Sequence, residues 1–234
     1  MNTPKSSGLK YFSLLVVLVI FSLLAMFFLP KYGIIPSVNK TNITNISQGY
    51  VCIIYITKIG CPNCAITDSM IFTEWTRKYD KLVVIEYESH ENLDTINSYI
   101  ENCGADPFVP QILFANDTKA TGLQEVLAAE ETIKSLPSNP CLLPNGFTIN
   151  FSELDLSSLP GKPKIWSNGK VIVPGASKIN QTILKSLIHS QNPPEFLRAH
   201  SVEFELVNPQ PMEISHGYVY FRNAIKIGDW LIEW

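Results

Sequence analysis

Two cysteines separated by only two residues, Cys61 and Cys64, lie between an apolar run and an amphipathic segment. The run YVCIIYIT (50–57) is rich in β-branched and aromatic residues and predicts a buried strand. The segment 65–79 carries an apolar residue at about every third or fourth position, which predicts a helix. Because proline favours the first helical position, Pro62 predicts that this helix begins within the motif. The chain is therefore predicted to pass from strand to helix through CPNC.

Three kinds of site use a CxxC motif: a redox centre, half of a zinc site, and a structural clip. A zinc site needs four ligands, commonly from two such pairs, and Cys52, Cys103 and Cys141 form no second pair. A clip would close too short a loop to constrain the unfolded chain much. The strand–CxxC–helix order is that of a redox centre, which we favour. We therefore expect no metal, and with no nicotinamide or flavin fingerprint in the sequence we expect no cofactor.

The two thiols of a redox centre would have different roles. Cys61 would lie at the positive end of the helix dipole, among unpaired backbone N–H groups that favour the thiolate. Cys64 would lie inside the first turn, shielded from solvent, and would act as the resolving thiol. The preceding strand would bring Cys61 to the carboxyl edge of a sheet, where open α/β sheets usually bind ligands.

Alternating strand and helix patterns continue after the motif and predict an α/β fold. The order β-α-β-α-β-β-α indicates a mostly parallel sheet between helices. Gly104 is placed to end the second helix. The predicted elements are strand 81–89, helix 91–104, strand 106–117, a short strand in TKATGLQEV, and helix 128–136.

The segment from Tyr50 to about Leu136 resembles a thioredoxin domain. The similarity lies in strand–CPNC–helix, in KLVVIEYES as the next strand, and in CGADPFVPQILF. It implies a thioredoxin-like fold, with a central mixed sheet flanked by helices. It also implies a cis Val109–Pro110 bond packed beside the cysteine pair, with Pro163 as the rival cis-proline.

The same resemblance implies which residues touch a substrate. Val109 and Pro110 would contact a bound peptide from one side, and Pro62 and Asn63 of the motif from the other. Two departures from the family are visible: Gly60 stands where thioredoxins usually carry tryptophan, and Tyr55 stands where they usually carry a buried carboxylate. CPNC is also more similar to the CPxC centres of glutaredoxins and periplasmic oxidases, so the direction of electron flow stays open.

The region after residue 137 has strand and helix patterns of its own. Its clearest signal is KIWSNGKVIVPG, two apolar arms around Asn168-Gly169, which predicts a hairpin. A helix over 179–188 and strand-like runs in 202–234 follow. Two organisations are compatible with this pattern. They are a thioredoxin-like domain 49–137 with a β-rich C-terminal extension 138–234, or a domain 49–190 with an insertion 115–160.

The first thirty residues include an apolar stretch without charge over 11–30. About twenty such residues span a hydrocarbon core roughly 30 Å thick. The stretch exceeds the roughly 7–15 apolar residues of a signal peptide and has no small-x-small cleavage site. It predicts a transmembrane signal-anchor at 10–30, after a cytoplasmic N-terminus of residues 1–9.

Three consecutive glycosylation sequons follow the predicted anchor, at Asn39, Asn42 and Asn45. Their density indicates a glycosylated tether over 31–48 on the outer side of the membrane, although an ordinary polar linker has the same composition. In an oxidising compartment Cys103 and Cys141 could form a structural disulfide between tail and core. Cys52, in the middle of a strand, is interpreted as a buried apolar residue.

These patterns together predict the class of protein. The formal net charge of −3 lacks the basic excess typical of nucleic-acid binding, so we expect no nucleic-acid partner. We expect a membrane-anchored extracytoplasmic thiol–disulfide oxidoreductase that acts on protein or peptide disulfides through Cys61 and Cys64, with a membrane redox partner. The alternative is a non-catalytic surface or binding module in which the CxxC is a structural disulfide.

Overall fold

The computed structural model describes residues 49–234. The predicted anchor at 10–30 lies outside the described residues and stays a prediction. So do the sequons Asn39, Asn42 and Asn45 of the linker. Within the described part of the chain no helix is both long and apolar enough to cross a membrane.

Within residues 49–234, thirteen strands and five helices make a mixed α/β fold. The strands are β1 Val51–Thr57, β2 Leu82–Glu88, β3 Gln111–Leu113, β4 Lys119–Thr121, β5 Cys141–Leu142, β6 Thr148–Ile149, β7 Lys164–Ser167, β8 Lys170–Val173, β9 Glu205–Val207, β10 Met212–Ile214, β11 Gly217–Val219, β12 Ala224–Ile227 and β13 Trp230–Glu233. The helices are α1 (Pro62–Asp68, continued by a π-helical stretch Ser69–Trp75 and by Thr76–Lys78), α2 Leu93–Cys103, α3 Leu123–Ser135, α4 Gln181–His189 and α5 Pro193–Ala199.

Nine of the strands form one sheet in the order β4-β3-β1-β2-β7-β8-β13-β12-β9. β1 and β2 run parallel, and the other neighbouring strands of this sheet pair antiparallel. The predicted mixed sheet is confirmed. The expectation of a mostly parallel sheet is wrong, because β3 runs antiparallel to β1 and the strands of the C-terminal half add to β2 in antiparallel orientation.

β1 lies inside the sheet and is buried on both faces, so its alternate side chains enter two separate cores. Val51, Ile53 and Tyr55 face one core with apolar side chains of α1 and α3. Cys52, Ile54 and Ile56 face the other core with side chains of α2, α4 and α5. Helices therefore cover both faces of the strand that leads into the motif.

The region after residue 137 extends the sheet. β7 pairs directly with β2, Ile85 opposite Ile165, and β13 lies between β8 and β12. The predicted hairpin is confirmed: Asn168 and Gly169 join β7 to β8 with φ of 51° and 68°, the left-handed conformation that such two-residue turns require. The sheet thus continues past residue 137, whereas the two alternative domain organisations stay predictions.

Candidate active site

The CPNC turn follows β1 and opens α1. Cys61 is the N-cap residue, in an extended conformation, and Pro62 follows at the first helical position. The backbone N–H of Cys64 donates to Cys61 Sγ at 3.3 Å. One otherwise unpaired donor of the first helical turn is therefore directed at this sulfur.

The two thiols of the motif differ in exposure. Cys61 is partly exposed, whereas Cys64 has no accessible surface. Burial, the largest cause, together with contact with Cys61 raises the pKa of the Cys64 thiol to about 12. A hydrogen bond with Thr57 opposes that rise. The arrangement leaves one accessible sulfur and one shielded, protonated sulfur beneath it.

Val109 and Pro110, which are predicted to contact a substrate, lie at the same edge of the sheet as the CPNC turn. The Val109–Pro110 bond is cis, as the resemblance to thioredoxins implied. It is the one cis peptide bond among residues 49–234, so the rival choice of Pro163 is wrong. β3 begins at Gln111 opposite Ile56 of β1. Continuing this antiparallel register by one residue places Pro110 opposite Thr57, at the end of the strand that leads to Cys61.

The four residues that are predicted to contact a substrate differ in their exposure to solvent. Pro62 and Asn63 are exposed on the motif, Val109 is half-buried and Pro110 is buried. The two central side chains of the motif, Pro62 and Asn63, are thus open to solvent. Whether these four residues contact a substrate stays a prediction.

A buried carboxylate that the sequence does not predict lies beneath the motif. Asp68 has no accessible surface. Its Oδ1 accepts hydrogen bonds from Tyr55 Oη at 2.6 Å and from Thr57 Oγ1 at 2.8 Å. Its Oδ2 accepts from the Ser215 backbone N at 2.7 Å and from Ser215 Oγ at 2.5 Å. Four donors satisfy this buried carboxylate, as burial of such a group requires.

Tyr55 stands at the position for which the resemblance to thioredoxins implies a buried carboxylate. Burial, the largest cause, and the neighbouring Asp68 carboxylate raise the pKa of the Tyr55 hydroxyl well above its ordinary value. Tyr55 therefore stays a neutral donor to Asp68. The acid group is supplied by the helix rather than by the strand. Spacing offered one signal: Asp68 is four residues after the buried Cys64, and so lies on the same helix face.

A second buried carboxylate, that of Glu86 on β2, lies close enough to Asp68 for the two charges to interact. Its Oε2 accepts from Trp166 Nε1 at 2.6 Å and its Oε1 accepts from Lys164 Nζ at 3.0 Å. Burial, the largest cause, and the charge of Asp68 raise the pKa of Glu86, while Lys164 lowers it. The β2 carboxylate thus has a cationic partner, whereas Asp68 has neutral donors.

A groove opens directly at the accessible sulfur. Its volume is about 270 Å³, and it is lined by Gly60, Cys61, Pro62, Ala65, Ser215 and His216. One wall is therefore the CPNC turn, and the other is the turn between β10 and β11. No local pattern links Ser215 or His216 to the CPNC motif about 150 positions earlier, so the sequence does not predict them at the site.

The disulfide found in the structure differs from the predicted one. Cys52 pairs with Cys141, with Cα atoms 4.9 Å apart. The expected Cys103–Cys141 bond is wrong, and Cys103 is a free thiol whose Sγ lies 3.3 Å from the Leu143 carbonyl oxygen. The physical reason is the position of β5, which lies beside the beginning of β1: Asn139 donates to the Cys52 carbonyl and Cys52 N donates to the Asn139 carbonyl.

Comparisons with known proteins assign neither a family nor a function to the chain. No family model, no curated protein and no solved structure matches the chain. Within residues 49–234, histidine, cysteine and acidic side chains form no group of three that could hold a metal ion. What the site offers is a dithiol with one accessible sulfur, next to a groove and above a buried carboxylate.

Proposed function

We propose that the protein is a thiol–disulfide oxidoreductase that acts on protein or peptide disulfides through Cys61 and Cys64. The observation that carries this proposal is the asymmetry of the pair. Cys61 is accessible and receives a backbone N–H bond, whereas Cys64 is fully buried just behind it. An attacking thiol must be accessible as a thiolate, and a resolving thiol must reach the first sulfur from within.

The first step is attack on the substrate. The Cys61 thiolate attacks one sulfur of a substrate disulfide; the substrate S–S bond breaks, and a Cys61–substrate disulfide forms. The released substrate sulfur leaves as a thiolate and takes a proton from solvent. The groove beside Cys61 is where the substrate sulfur would approach.

The second step releases the product. Cys64 loses its proton and attacks Cys61 Sγ, which forms the Cys61–Cys64 disulfide and expels the second substrate thiolate. Two electrons have then passed from the protein dithiol to the substrate, and in the reverse direction the protein oxidises a substrate dithiol. Because Cys64 has a pKa of about 12, its deprotonation is the demanding part of this step.

A thioredoxin-like fold is part of the same proposal. Its support is the parallel β1–β2 pair with the motif between them, followed by a cis proline that leads into the antiparallel β3. The β-rich C-terminal region then continues this sheet. Val109, Pro110, Pro62 and Asn63 are the proposed substrate contacts.

We further propose that residues 10–30 anchor the protein in a membrane with the dithiol domain on the extracytoplasmic side. The Cys52–Cys141 disulfide supports an oxidising location, because such bonds persist mainly outside the cytosol. A membrane dithiol or disulfide partner would restore the active redox state after each turnover. Glycosylation at Asn39, Asn42 and Asn45 belongs to the same proposal.

Trapping of the covalent intermediate tests this function. A Cys64→Ala variant of the full chain should accumulate mixed disulfides with substrate proteins, because the first step proceeds and the second cannot. These adducts are detected as reducible bands on non-reducing gels. A Cys61→Ala variant is the matched control and should trap nothing, since Cys64 is inaccessible.

The opposite outcome identifies the alternative function. If Cys64→Ala traps nothing, and the Cys61–Cys64 pair has a reduction potential below about −300 mV as structural disulfides do, the redox proposal is wrong. The chain would then be a binding module with a structural CxxC.

A further inference from the structure

The hairpin formed by β10 and β11 is attached to the dithiol at two points. The Ser215 backbone N and Oγ both donate to the Asp68 carboxylate, which lies one helical turn after Cys64. Gly60 N donates to the Ser215 carbonyl at 2.9 Å, just before Cys61. The hairpin turn therefore binds the chain on both sides of the CPNC motif.

The attachment is buried and charge-assisted. Ser215 is 3% exposed and Asp68 is fully buried. Hydrogen bonds to a carboxylate are roughly twice as strong as neutral ones, and Ser215 makes two of them. The position of the turn relative to the dithiol is therefore fixed.

This attachment determines what the next residue does. Both backbone polar groups of Ser215 are used within the protein, while the adjacent His216 is exposed and lines the groove with Cys61 and Pro62. A chain that brings a sulfur to Cys61 through this groove passes between the exposed Pro62 ring and the His216 ring. Such flat side chains can pack against the residues that flank a substrate cysteine.

We propose that the β10–β11 hairpin determines the specificity of the dithiol site, with His216 contacting the substrate residue next to the reacting cysteine and Ser215 positioning His216 through Asp68. This proposal rests on the proposed function. Of the residues that line the groove, Gly60, Pro62 and His216 are exposed, so the groove is open to solvent along its walls and does not enclose a small ligand. The hairpin is therefore suited to a polypeptide segment that crosses the groove, and it adds little for a small disulfide.

The test compares two disulfides that release the same leaving group. One is 5,5′-dithiobis(2-nitrobenzoate), and the other is a short peptide whose cysteine carries the same nitrothiobenzoate. The protein is the full chain with Cys64→Ala and Cys103→Ala, so that Cys61 is the sole free thiol. N-acetylcysteine measures the intrinsic reactivity of each probe, and the readout is the ratio of the peptide rate to the small-disulfide rate.

We expect this ratio to exceed that of N-acetylcysteine by about tenfold, which corresponds to roughly 1.4 kcal/mol of contact. Adding His216→Ala should remove most of that preference, because the second wall is lost. His216→Phe should retain it, since a flat ring remains. Ser215→Ala should lower it partially, because the backbone N–H bond to Asp68 persists. Tyr220→Ala, an exposed aromatic residue of the same region but outside the groove, should leave the ratio unchanged.

The outcomes separate this proposal from the function on which it rests. If Cys61 reacts with neither probe, the oxidoreductase function is wrong and the specificity proposal falls with it. If Cys61 reacts with both probes but His216→Ala leaves the ratio within about twofold of its parent, the hairpin proposal alone is overturned. A peptide preference that disappears equally in Tyr220→Ala would also overturn it, because the effect would not belong to the groove.

Discussion

A cysteine pair lies near each end of β1, and the two pairs differ in bonding and in exposure. Near its beginning, Cys52 is bonded to Cys141 across 89 residues, and both are buried. Just after its end, Cys61 and Cys64 are free thiols, and one of them is accessible. The same strand therefore holds a closed pair in the core and an open pair at the edge of the sheet.

This difference shows that place in the fold separates a structural cysteine from a reactive one. The closed pair joins segments that are distant in the chain, which constrains the unfolded state strongly. The open pair spans too few residues to do that, but it has a helix N-terminus and a groove. The long loop closed by Cys52–Cys141 stabilises the fold. The solvent access of Cys61 makes the other pair available for reaction.

Removal of the closed pair should give the largest effect. We expect Cys52→Ala with Cys141→Ala to lower the free energy of unfolding by about 4–5 kcal/mol, the value for a loop of nearly a hundred residues. For a chain of this size that corresponds to a fall in Tm of roughly 10–20 °C. Thermal and urea denaturation of the variant and the parent, both with the open pair reduced, measure it.

Cys103→Ala is the control for this prediction, because Cys103 is a partly exposed free thiol. Its loss should change the free energy of unfolding by less than about 1 kcal/mol. A larger loss in Cys103→Ala than in the double variant would reverse the assignment of the disulfide. Cys61 should still react with an alkylating reagent in the folded double variant, which would separate stability from chemistry.

The second largest expected effect is the pH dependence of product release by the Cys61–Cys64 pair. The pKa of the Cys64 thiol is raised from 9.0 to about 12 in the reduced protein, and burial, the largest cause, persists in the mixed disulfide. The thiolate fraction of Cys64 should therefore increase about tenfold for each pH unit below its raised pKa. Release of product from the mixed disulfide, followed by stopped-flow, should accelerate accordingly between pH 7 and 10. A flat profile would show that removal of the Cys64 proton does not limit this step.

The same pKa shift has a consequence for stability, in the reduced protein only. A raised pKa means that the folded state holds the proton more tightly than the unfolded chain. The resulting stabilisation is complete below pH 9 and is lost as pH rises toward 12. In the oxidised protein Cys64 carries no proton, so its loss of stability above pH 9 should be smaller; equal losses in the two states would contradict this origin.

The smallest expected effect concerns Thr57, which connects Asp68 with the dithiol. Its hydroxyl donates to Asp68, and the same hydroxyl lies near enough to the Cys64 thiol to lower the pKa of that thiol. Thr57→Val keeps the shape but removes these bonds. We expect the free energy of unfolding to fall by about 1–2 kcal/mol and product release to slow, because the Cys64 pKa rises further.

Thr73→Val is the matched control for this prediction, since the Thr73 hydroxyl bonds an exposed backbone carbonyl in α1. Urea unfolding and stopped-flow release should both stay near the parent values in Thr73→Val. An unchanged release rate in Thr57→Val would mean that Thr57 has a structural role alone.

Local patterns predicted the local parts of the fold. Helix α2 ends at Cys103 and is followed by Gly104 in a left-handed conformation, as its sequence indicated. The Asn168-Gly169 hairpin is likewise confirmed. These features depend on a few adjacent residues, and neighbouring residues are what a sequence displays most directly.

Long-range pairings were beyond such reasoning. Several connectivities are compatible with five cysteines, and spacing does not choose among them, so Cys103 was wrongly preferred to Cys52 as the partner of Cys141. Asp68 gave a weak signal through its helical spacing from Cys64. Ser215 gave none, because its contact with Asp68 spans 147 residues.

That separation has a consequence for the order of events during synthesis. At about 5–20 residues per second, Ser215 is made roughly 7–30 s after Asp68. β1 and the CPNC turn have been synthesised when this interval begins, and β2 follows early in it. The turn that walls the groove does not yet exist. A nascent chain would therefore present an unrestricted Cys61 to passing thiols, and selectivity would arrive only when the late hairpin docks on Asp68.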